Sequence, residues 1–233
     1  PITYSRRGYI AKPDSKDIIE IHKNAITANM SIDALADRIS KGHSFIGGVF
    51  KSEKHTKEAF DVGSVIVLDA DDGKLTYKTF ISFCKKNNII PNIAYESWSH
   101  TARHNKFHAI WVIGEAKLET LEAISKYMFF TLSKAFPKTK LDDKMKSPTQ
   151  LWGGTNKKVE VFHYDYLNFF NFEKLLLSLY SKGSHSRIKK EVKEYSGIKA
   201  VRNCEDILGI PNYYQQGQDI YEVVLDENLV KSR

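Results

Sequence analysis

Residues 65–73 read Val-Ile-Val-Leu-Asp-Ala-Asp-Asp-Gly, and this stretch decides how the chain folds. Its first four residues form a continuous apolar run rich in β-branched side chains, which is typical of a buried strand. The acids that follow predict that the strand ends at a polar edge. Because strand side chains alternate with a period of two, we expect Asp69 and Asp71 to point to the same face.

Two carboxylates at this spacing suggest a metal site. They repel each other unless a cation lies between them, and hard oxygen ligands of this kind suit Mg²⁺ or Mn²⁺. The alternative is a strand that runs into an Asp-Gly turn, in which Asp71, Asp72 and Gly73 supply only turn chemistry. A second acidic position and a phosphate-binding group elsewhere are needed to favour the metal site.

Further elements flank this strand in both directions. Helical spacing of apolar residues predicts helices over residues 31–41, 75–87, 117–136 and 171–180. Apolar or β-branched runs predict strands over residues 45–50, 92–95, 107–113 and 159–163. The strands over 92–95 and 107–113 flank a polar loop, so we expect them to form a hairpin with a long connection.

The composition changes near residue 184, where Lys and Ser become frequent. We therefore expect a core domain over 1–183 and a mostly helical region over 184–233, which is either an accessory region or a linker to a missing domain. The chain begins without Met, so it has either lost its initiator or is a fragment of a longer protein.

The charge balance favours a polyanionic partner. Lys and Arg number 35 against 28 Asp and Glu, which gives a net charge of +7, and the alternative is a merely basic surface. Cys84 and Cys204 have no His or Cys at ligand spacing, so neither a disulfide framework nor a zinc site is indicated. No apolar stretch is long enough to span a bilayer and no signal peptide is present, so we expect a cytoplasmic protein.

A histidine lies inside the apolar strand over residues 107–113. His108 needs a polar partner on its face of the strand, and Arg103, His104 and Lys106 immediately precede it. Cationic and N–H donors suit phosphate oxygens, so this cluster resembles a triphosphate site. The alternative is a hydrogen-bonded histidine of the core.

Residues 141–154 form a third polar cluster, with adjacent acids, lysines and a glycine pair. Either Asp142 or Asp143 is able to complete a three-carboxylate metal site with Asp69 and Asp71. The alternative is a solvated loop between a helix and a strand.

The order of these motifs resembles the archaeo-eukaryotic primase superfamily, especially primase-polymerases and replication proteins of plasmids, phages and genomic islands. Val65 to Asp71 match the strand that ends in Asp-x-Asp, His108 matches the histidine-bearing strand, and Asp142 matches the third acid, with Asp143 as the fallback. The resemblance covers roughly residues 40–165.

This resemblance implies an α/β (α+β) fold, in which a mixed sheet forms an RNA-recognition-like palm beside an N-terminal α/β unit. Residues 1–183 then form a primase-polymerase catalytic domain. The implied activity is DNA primase or polymerase chemistry in the replication of a mobile element, with two divalent ions, Mg²⁺ or Mn²⁺, held by Asp69, Asp71 and Asp142. Single-stranded DNA and nucleoside triphosphates are the implied partners, with room for a helicase domain or protein.

The resemblance also implies nucleotide-binding positions, which are His108, Arg103, Lys106, Lys146 and Gln150. Gln150 stands where relatives often have Arg, and Lys106 stands where they usually have a small residue. His100 is a competing candidate for a nucleotide contact. The basic residues 51–57 are a candidate for contacts with the template backbone, although a solvated surface explains them equally well.

Two other functions are compatible with a basic, acid-bearing chain. A rolling-circle replication or mobilisation endonuclease needs a His-hydrophobe-His metal motif and a nucleophilic Tyr on a helix, and His104 and His108 are spaced wrongly for that motif. A non-catalytic nucleic-acid-binding module uses the acids only as turns, and Asp69→Ala then leaves its function intact.

Overall fold

The computed structural model describes residues 1–163 together with residues 171, 174 and 175. Its helices are α1 (Ser15–Asn24), α2 (Ile32–Ser40), α3 (Tyr77–Lys86), α4 (Leu118–Ala135) and a 3-10 helix at Asp143–Lys146. Its strands are β1 (Ile2–Tyr4), β2 (Ile26–Ala28), β3 (Phe45–Ile46), β4 (Gly48–Phe50), β5 (Phe60–Gly73), β6 (Ile93–Glu96), β7 (Asn105–Ala116) and β8 (Val159–Val161).

The strands form two sheets, and the fold is α+β as expected. A five-stranded sheet has the order β4-β5-β7-β6-β8, and a three-stranded sheet has the order β2-β1-β3. All strand pairs within the described residues are antiparallel. The expected mixed sheet is therefore wrong. β5 and β6 do run parallel to each other, but the predicted hairpin returns β7 into the gap between them, so they never pair directly.

β5 is the longest strand, and it extends well beyond the predicted run. It pairs with β7 from Gly63, opposite Ala116, to Gly73, opposite Asn105. The register shifts between Ala70 and Gly73, which marks a β-bulge. The acids after Leu68 therefore lie within the strand and near its bulge, because the backbone continues to pair after the apolar residues end.

One face of the five-stranded sheet packs against α3 and α4. Ile66, Leu68 and Trp111 are almost fully buried there, together with Phe80 of α3. The indole Nε1 of Trp111 donates to the carbonyl oxygen of Ile89 at 2.9 Å, so this buried polar group is satisfied. Each such apolar side chain contributes about 1.5–3 kcal/mol by its burial, so this face dominates the stability of the fold.

The N-terminal layer covers part of the opposite face. Val65 and Val67 of β5 pack with Tyr95 of β6 against Leu35 and Ile39 of α2. This layer does not extend over the end of β5, and the polar residues of the sheet lie there.

The helices predicted over 31–41, 75–87 and 117–136 are confirmed with ends that differ by one or two residues. The strand predicted over 45–50 is interrupted at Gly47, where the chain passes from one sheet to the other. A Cβ at Gly47 would lie 2.6 Å from Val65 Cγ2, so only glycine fits this crossing.

β1, α1 and β2 were not predicted from the sequence. The helix predicted over 171–180 lies mostly outside the described residues, and the region 184–233 lies outside them entirely. Among the described helices, none combines the length and the apolar character that crossing a membrane requires.

Candidate active site

A row of polar side chains crosses the three central strands of the five-stranded sheet. In the register of β5 and β7, Asp69 lies opposite His108, and in that of β6 and β7, Tyr95 lies opposite the same histidine. The row occupies the sheet face that the N-terminal layer leaves partly open. The alternation of β5 thus places Asp69 on the same face as Val65 and Val67, but in a cleft instead of a core.

The third acid reaches this row through a backbone contact. After α4 the chain returns to β5, where Leu141 forms an isolated bridge with Ala70. The amide of Asp142 then donates to the carbonyl oxygen of Asp69 at 3.1 Å. Asp142 is therefore held beside Asp69 by the main chain and not only by its own side chain.

Asp72 anchors this returning segment. One of its carboxylate oxygens accepts from the amide of Lys140 at 2.7 Å, and the other accepts from the amide of Lys74 at 3.0 Å. Asp72 therefore differs from its neighbours Asp69 and Asp71, because both of its carboxylate oxygens already accept hydrogen bonds from main-chain amides.

Three carboxylates converge in the cleft. Asp69, Asp71 and Asp142 each offer an oxygen, and these oxygens lie within 4.8 Å of one another. Asp143 takes no part, because its side chain is 77% exposed and pairs with Lys146 at 2.7 Å. Of the two acids that the sequence left open, the structure places Asp142 in the cluster.

Basic side chains face two of these acids. His108 Nε2 lies 3.4 Å from Asp69 Oδ1, and Lys144 Nζ lies 3.4 Å from Asp142 Oδ2. Burial is the largest influence on the pKa of Asp69 and raises it, but the hydrogen bond to His108 and the charges of His108, Lys144 and Lys106 outweigh burial. The pKa of Asp69 is lowered as a result, and its carboxylate is ionised at neutral pH.

His108 is held rigidly in the sheet. It is only 8% exposed, and the rings of Tyr95 and Trp152 meet it edge-on at centroid distances of 5.0 and 5.5 Å. The hydroxyl of Tyr95 donates to the carbonyl oxygen of Gly153 at 2.8 Å, which fixes the ring that contacts the histidine. Nε2 is the ring nitrogen of His108 that is directed at Asp69, whereas Nδ1 is buried and has no hydrogen-bond partner among the described residues.

The cleft around the acids combines lysines, aromatic rings and small polar groups. Besides Asp69, Asp71, His108 and Asp142, it is lined by Lys12, Pro13, Ile18, Ser44, Ser97, Trp98, Ser99, Lys106, Lys144, Gln150, Leu151, Trp152, Gly153 and Gly154. Three lysines around three acids give a site that is suited to a ligand carrying both phosphate groups and metal ions.

The tight packing of residues 152–155 shapes one side of the cleft. Trp152 exchanges two backbone hydrogen bonds with Phe45 of β3, and the amide of Thr155 donates to the carbonyl oxygen of Ile39. A Cβ at Gly154 would lie 2.5 Å from the carbonyl oxygen of His43, so the chain passes here only as glycine.

The predicted nucleotide-binding residues fall into two groups. Lys106, His108 and Gln150 line the cleft together with the three acids. Arg103 is exposed in the loop between β6 and β7, and Lys146 faces Asp143; neither lines the cleft. Their contact with a nucleotide stays a prediction.

His100 closes the base of that loop. Its Nδ1 accepts from the amide of Lys106 at 3.1 Å, and its Nε2 lies 3.3 Å from Glu96 Oε1. The ammonium group of Lys157 donates to its carbonyl oxygen. His100 does not line the cleft, and its contacts are those of a residue that shapes the loop.

Several residues of the cleft were assigned no role from the sequence, among them Lys12, Ile18, Trp98 and Lys144. Lys144 follows Asp142 by two residues, and Trp98 is the aromatic residue of an otherwise polar loop, so both carried a signal in the sequence. Lys12 and Ile18 precede the region of resemblance, and no motif marks them.

The donor set fits a hard divalent cation. All three converging ligands are carboxylates, which suit Mg²⁺ or Mn²⁺ and do not favour softer metals such as Zn²⁺ or Cu⁺. The cluster is concave and open to the cleft, so ligands other than protein atoms can complete the coordination of an ion.

The sequence matches no model of a known protein family, and no curated protein matches it either. Among solved structures, the chain is similar to the archaeo-eukaryotic primase domain of the primase-polymerase from cyanophage S-2L, with a TM-score of 0.42 and 13% sequence identity. The similarity covers 75% of this chain and 88% of the phage domain.

Proposed function

We propose that this protein is a template-directed nucleotidyltransferase, a DNA primase or polymerase that uses Mg²⁺ or Mn²⁺. The observation that carries the proposal is the convergence of Asp69, Asp71 and Asp142 in one cleft with lysines. Metal-binding carboxylates beside cationic side chains are typical of phosphoryl-transfer sites. In such sites the protein mainly positions the reactants and neutralises their charge.

The three aspartates hold the ions in this proposal. Asp69, Asp71 and Asp142 would hold two divalent ions, which would supply Lewis-acid activation of a 3′-hydroxyl group and charge stabilisation of the leaving pyrophosphate. The protein itself supplies no nucleophile, so the acids need only remain ionised and fixed. The lowered pKa of Asp69 and the main-chain contact between Asp142 and Asp69 meet both requirements.

The remaining polar groups of the cleft bind and orient the nucleotide. Lys106 and Lys144 supply positive charge for the triphosphate, and the amide of Gln150 offers a neutral donor. His108 faces Asp69, so we propose that it orients this carboxylate. The phosphate contact that the sequence implied for His108, and the roles of Arg103 and Lys146, stay predictions.

The wider setting is also part of this proposal. Residues 1–183 form the catalytic domain, and residues 184–233 form an accessory region or a linker. Single-stranded DNA is the template, nucleoside triphosphates are the substrates, and replication of a mobile element is the context, with a helicase as a further partner.

The test is a primer-extension and priming assay with a matched pair of variants. The protein is incubated with a single-stranded template, labelled nucleotides and Mg²⁺ or Mn²⁺, with and without a primer. We expect the unchanged protein and Asp143→Ala to make product, and Asp142→Ala to lose activity at least about 1000-fold. The primer-free lanes show whether the protein starts chains.

The two rival functions predict different results. A binding module makes no product with either metal and keeps its affinity for DNA in Asp142→Ala, which would overturn the proposal. A rolling-circle endonuclease nicks its DNA and remains attached to it through a tyrosine. In the described part of the chain, the residues that line the cleft include no tyrosine.

A further inference from the structure

The N-terminal lip, which we define as residues 10–19, carries the exposed large apolar side chains of the described structure. Ile10 is 94% exposed, Ile19 is 57% exposed and Ile18 is 40% exposed. Exposed apolar groups cost free energy when they are concentrated in one segment, and such a concentration marks an interaction surface. The side chains of Lys12, Pro13 and Ile18 line the same cleft as the three acids.

The acids of this part of the chain are already engaged. The carboxylate of Asp14 accepts from the amides of Lys16 and Asp17 at 2.8 and 2.9 Å, and that of Asp17 accepts from the amide of Asp14. Glu20 pairs with Arg7 at 2.7 Å. These acids cap α1 or pair with Arg7, and none of them forms an ion pair with Lys12 or Lys16 in the described part of the chain.

Lys12 and Lys16 have no ion-pair partner among the described residues, and both are exposed. The lip therefore presents apolar side chains and free positive charge at the edge of an acidic cleft. A ligand that satisfies both must have flat apolar faces and regularly spaced negative charges. An unpaired strand of nucleic acid has both, whereas a duplex hides its base faces inside the stack.

We infer that the single strand entering the cleft lies along the lip, with its bases against Ile18 and Pro13 and a phosphate at Lys12. The inference rests on the proposed function and extends it, because it names the surface that holds the template. The template then contacts both layers of the protein, with the acids on the five-stranded sheet and the lip on the N-terminal unit.

Ile18 and Ile19 provide a matched pair for the test. They are neighbours on α1, Ile19 is the more exposed, and only Ile18 lines the cleft. We propose to measure the binding of a fluorescein-labelled oligothymidylate of about 20 nucleotides by anisotropy, without nucleotide and without divalent metal. We expect Ile18→Ser to weaken binding about 3- to 10-fold and Ile19→Ser to change it less than about 2-fold.

Lys12 is tested through the salt dependence of the same binding. The logarithm of the binding constant falls with the logarithm of the salt concentration. Loss of one phosphate contact with a single strand makes this negative slope shallower by about 0.7. We expect this change for Lys12→Ala. The control is Lys126→Ala, which removes the same charge from α4, on the other side of the sheet, and leaves the slope unchanged.

Several results would overturn the inference. Equal losses of binding in Ile18→Ser and Ile19→Ser would refute the placement of the bases against Ile18 at the cleft. No effect of either variant, or no binding by the unchanged protein, would remove the lip as a strand-binding surface. A dimer of the unchanged protein that Ile18→Ser dissociates in sedimentation would assign the lip to a second copy of the chain. Because the assay needs no catalysis, a protein without transferase activity that still shows the Ile18 effect refutes only the proposed function.

Discussion

The two ends of the β5–β7 pair belong to one continuous ladder of paired residues, but one end forms core and the other lines the cleft. At one end, Val65 to Leu68 are buried on both faces, between the α3 and α4 layer and the N-terminal layer. At the other end, where the N-terminal layer stops, the same alternation presents Asp69 to a cleft. Strand pairing supplies the same rigidity at both ends, and the presence or absence of the covering layer decides whether a residue stabilises the fold or performs chemistry.

The largest expected effect lies at the acidic end. Asp69→Ala removes a proposed metal ligand, so we expect nucleotidyl transfer to fall at least about 1000-fold while the free energy of unfolding changes by less than about 1–2 kcal/mol. Asp61→Ala is the control, since Asp61 lies in the same strand but pairs with Lys117 at 2.9 Å. The comparison breaks if both variants lose activity equally in the extension assay.

At the apolar end we expect a substitution to lower stability and to leave activity nearly unchanged. Ile66 is 2% exposed beneath α3 and α4, and its truncation in Ile66→Ala leaves a cavity that costs about 2–5 kcal/mol of stability. Activity per folded molecule changes little, since the side chain points away from the cleft. Urea denaturation and activity at low temperature separate the two quantities. Ile19→Ala, on an exposed side chain, is the control and costs less than about 0.5 kcal/mol.

Substitution of Asp72 is expected to affect both stability and metal binding. Asp72→Ala frees the amides of Lys140 and Lys74, and each charge-assisted hydrogen bond of this kind contributes about 1.5–3 kcal/mol. Because Lys140 leads directly into Asp142, we also expect the metal concentration for half-maximal activity to rise several-fold.

Asp72→Asn distinguishes positioning from simple stability. It keeps one carbonyl acceptor for a main-chain amide, so we expect it to restore part of the metal affinity. If Asp72→Ala lowers stability without changing the metal dependence, Asp72 does not position the third ligand.

The smallest expected effect concerns an acid that serves stability alone. Glu160 accepts from the Tyr77 hydroxyl at 2.8 Å, and its pKa is lowered below the ordinary 4.5 by its hydrogen bond to Lys158, with a further contribution from Tyr77, against the opposing effect of burial. Its contribution to stability is therefore present above pH 4.5 and is lost as the pH falls through the lowered pKa.

Tyr77→Phe removes one of these hydrogen bonds. We expect a loss of about 1 kcal/mol at pH 7, and this difference from the unchanged protein narrows in acid as Glu160 becomes protonated. Urea titrations at a series of pH values measure it. A difference that stays constant down to pH 3 would show that the hydroxyl does not act through the charged carboxylate, and activity at neutral pH is expected to stay unchanged.

The strongest periodic segments were predictable from the sequence. Three predicted elements are present in the structure: the apolar strand β5, the amphipathic helix α2 with its Ser31 cap, and the long helix α4. The convergence of Asp69 and Asp71 followed from strand alternation alone. The placement of Asp142 was open, because it depends on a backbone hydrogen bond to Asp69 that no local pattern encodes.

Other features depend on contacts between distant parts of the chain. β1 and β2 have three residues each, too few for any periodicity to show, and they exist because β1 pairs with β2 and with β3. Lys146 has the charge expected of a phosphate ligand, yet the turn of the 3-10 helix directs it to Asp143. The charge of Lys146 was known from the sequence, whereas the direction in which its side chain points was not.

The hydrogen bond between the Lys140 amide and Asp72 joins residues that are 68 positions apart in the chain. Closing so long a loop costs more entropy than local pairing does. Asp69 and Asp71 lie on one strand, β5, whereas Asp142 joins them only where the returning segment contacts that strand. A chain that has formed β5 without this closure holds only two of the three acids, so a three-carboxylate site depends on a contact between residues far apart in the sequence.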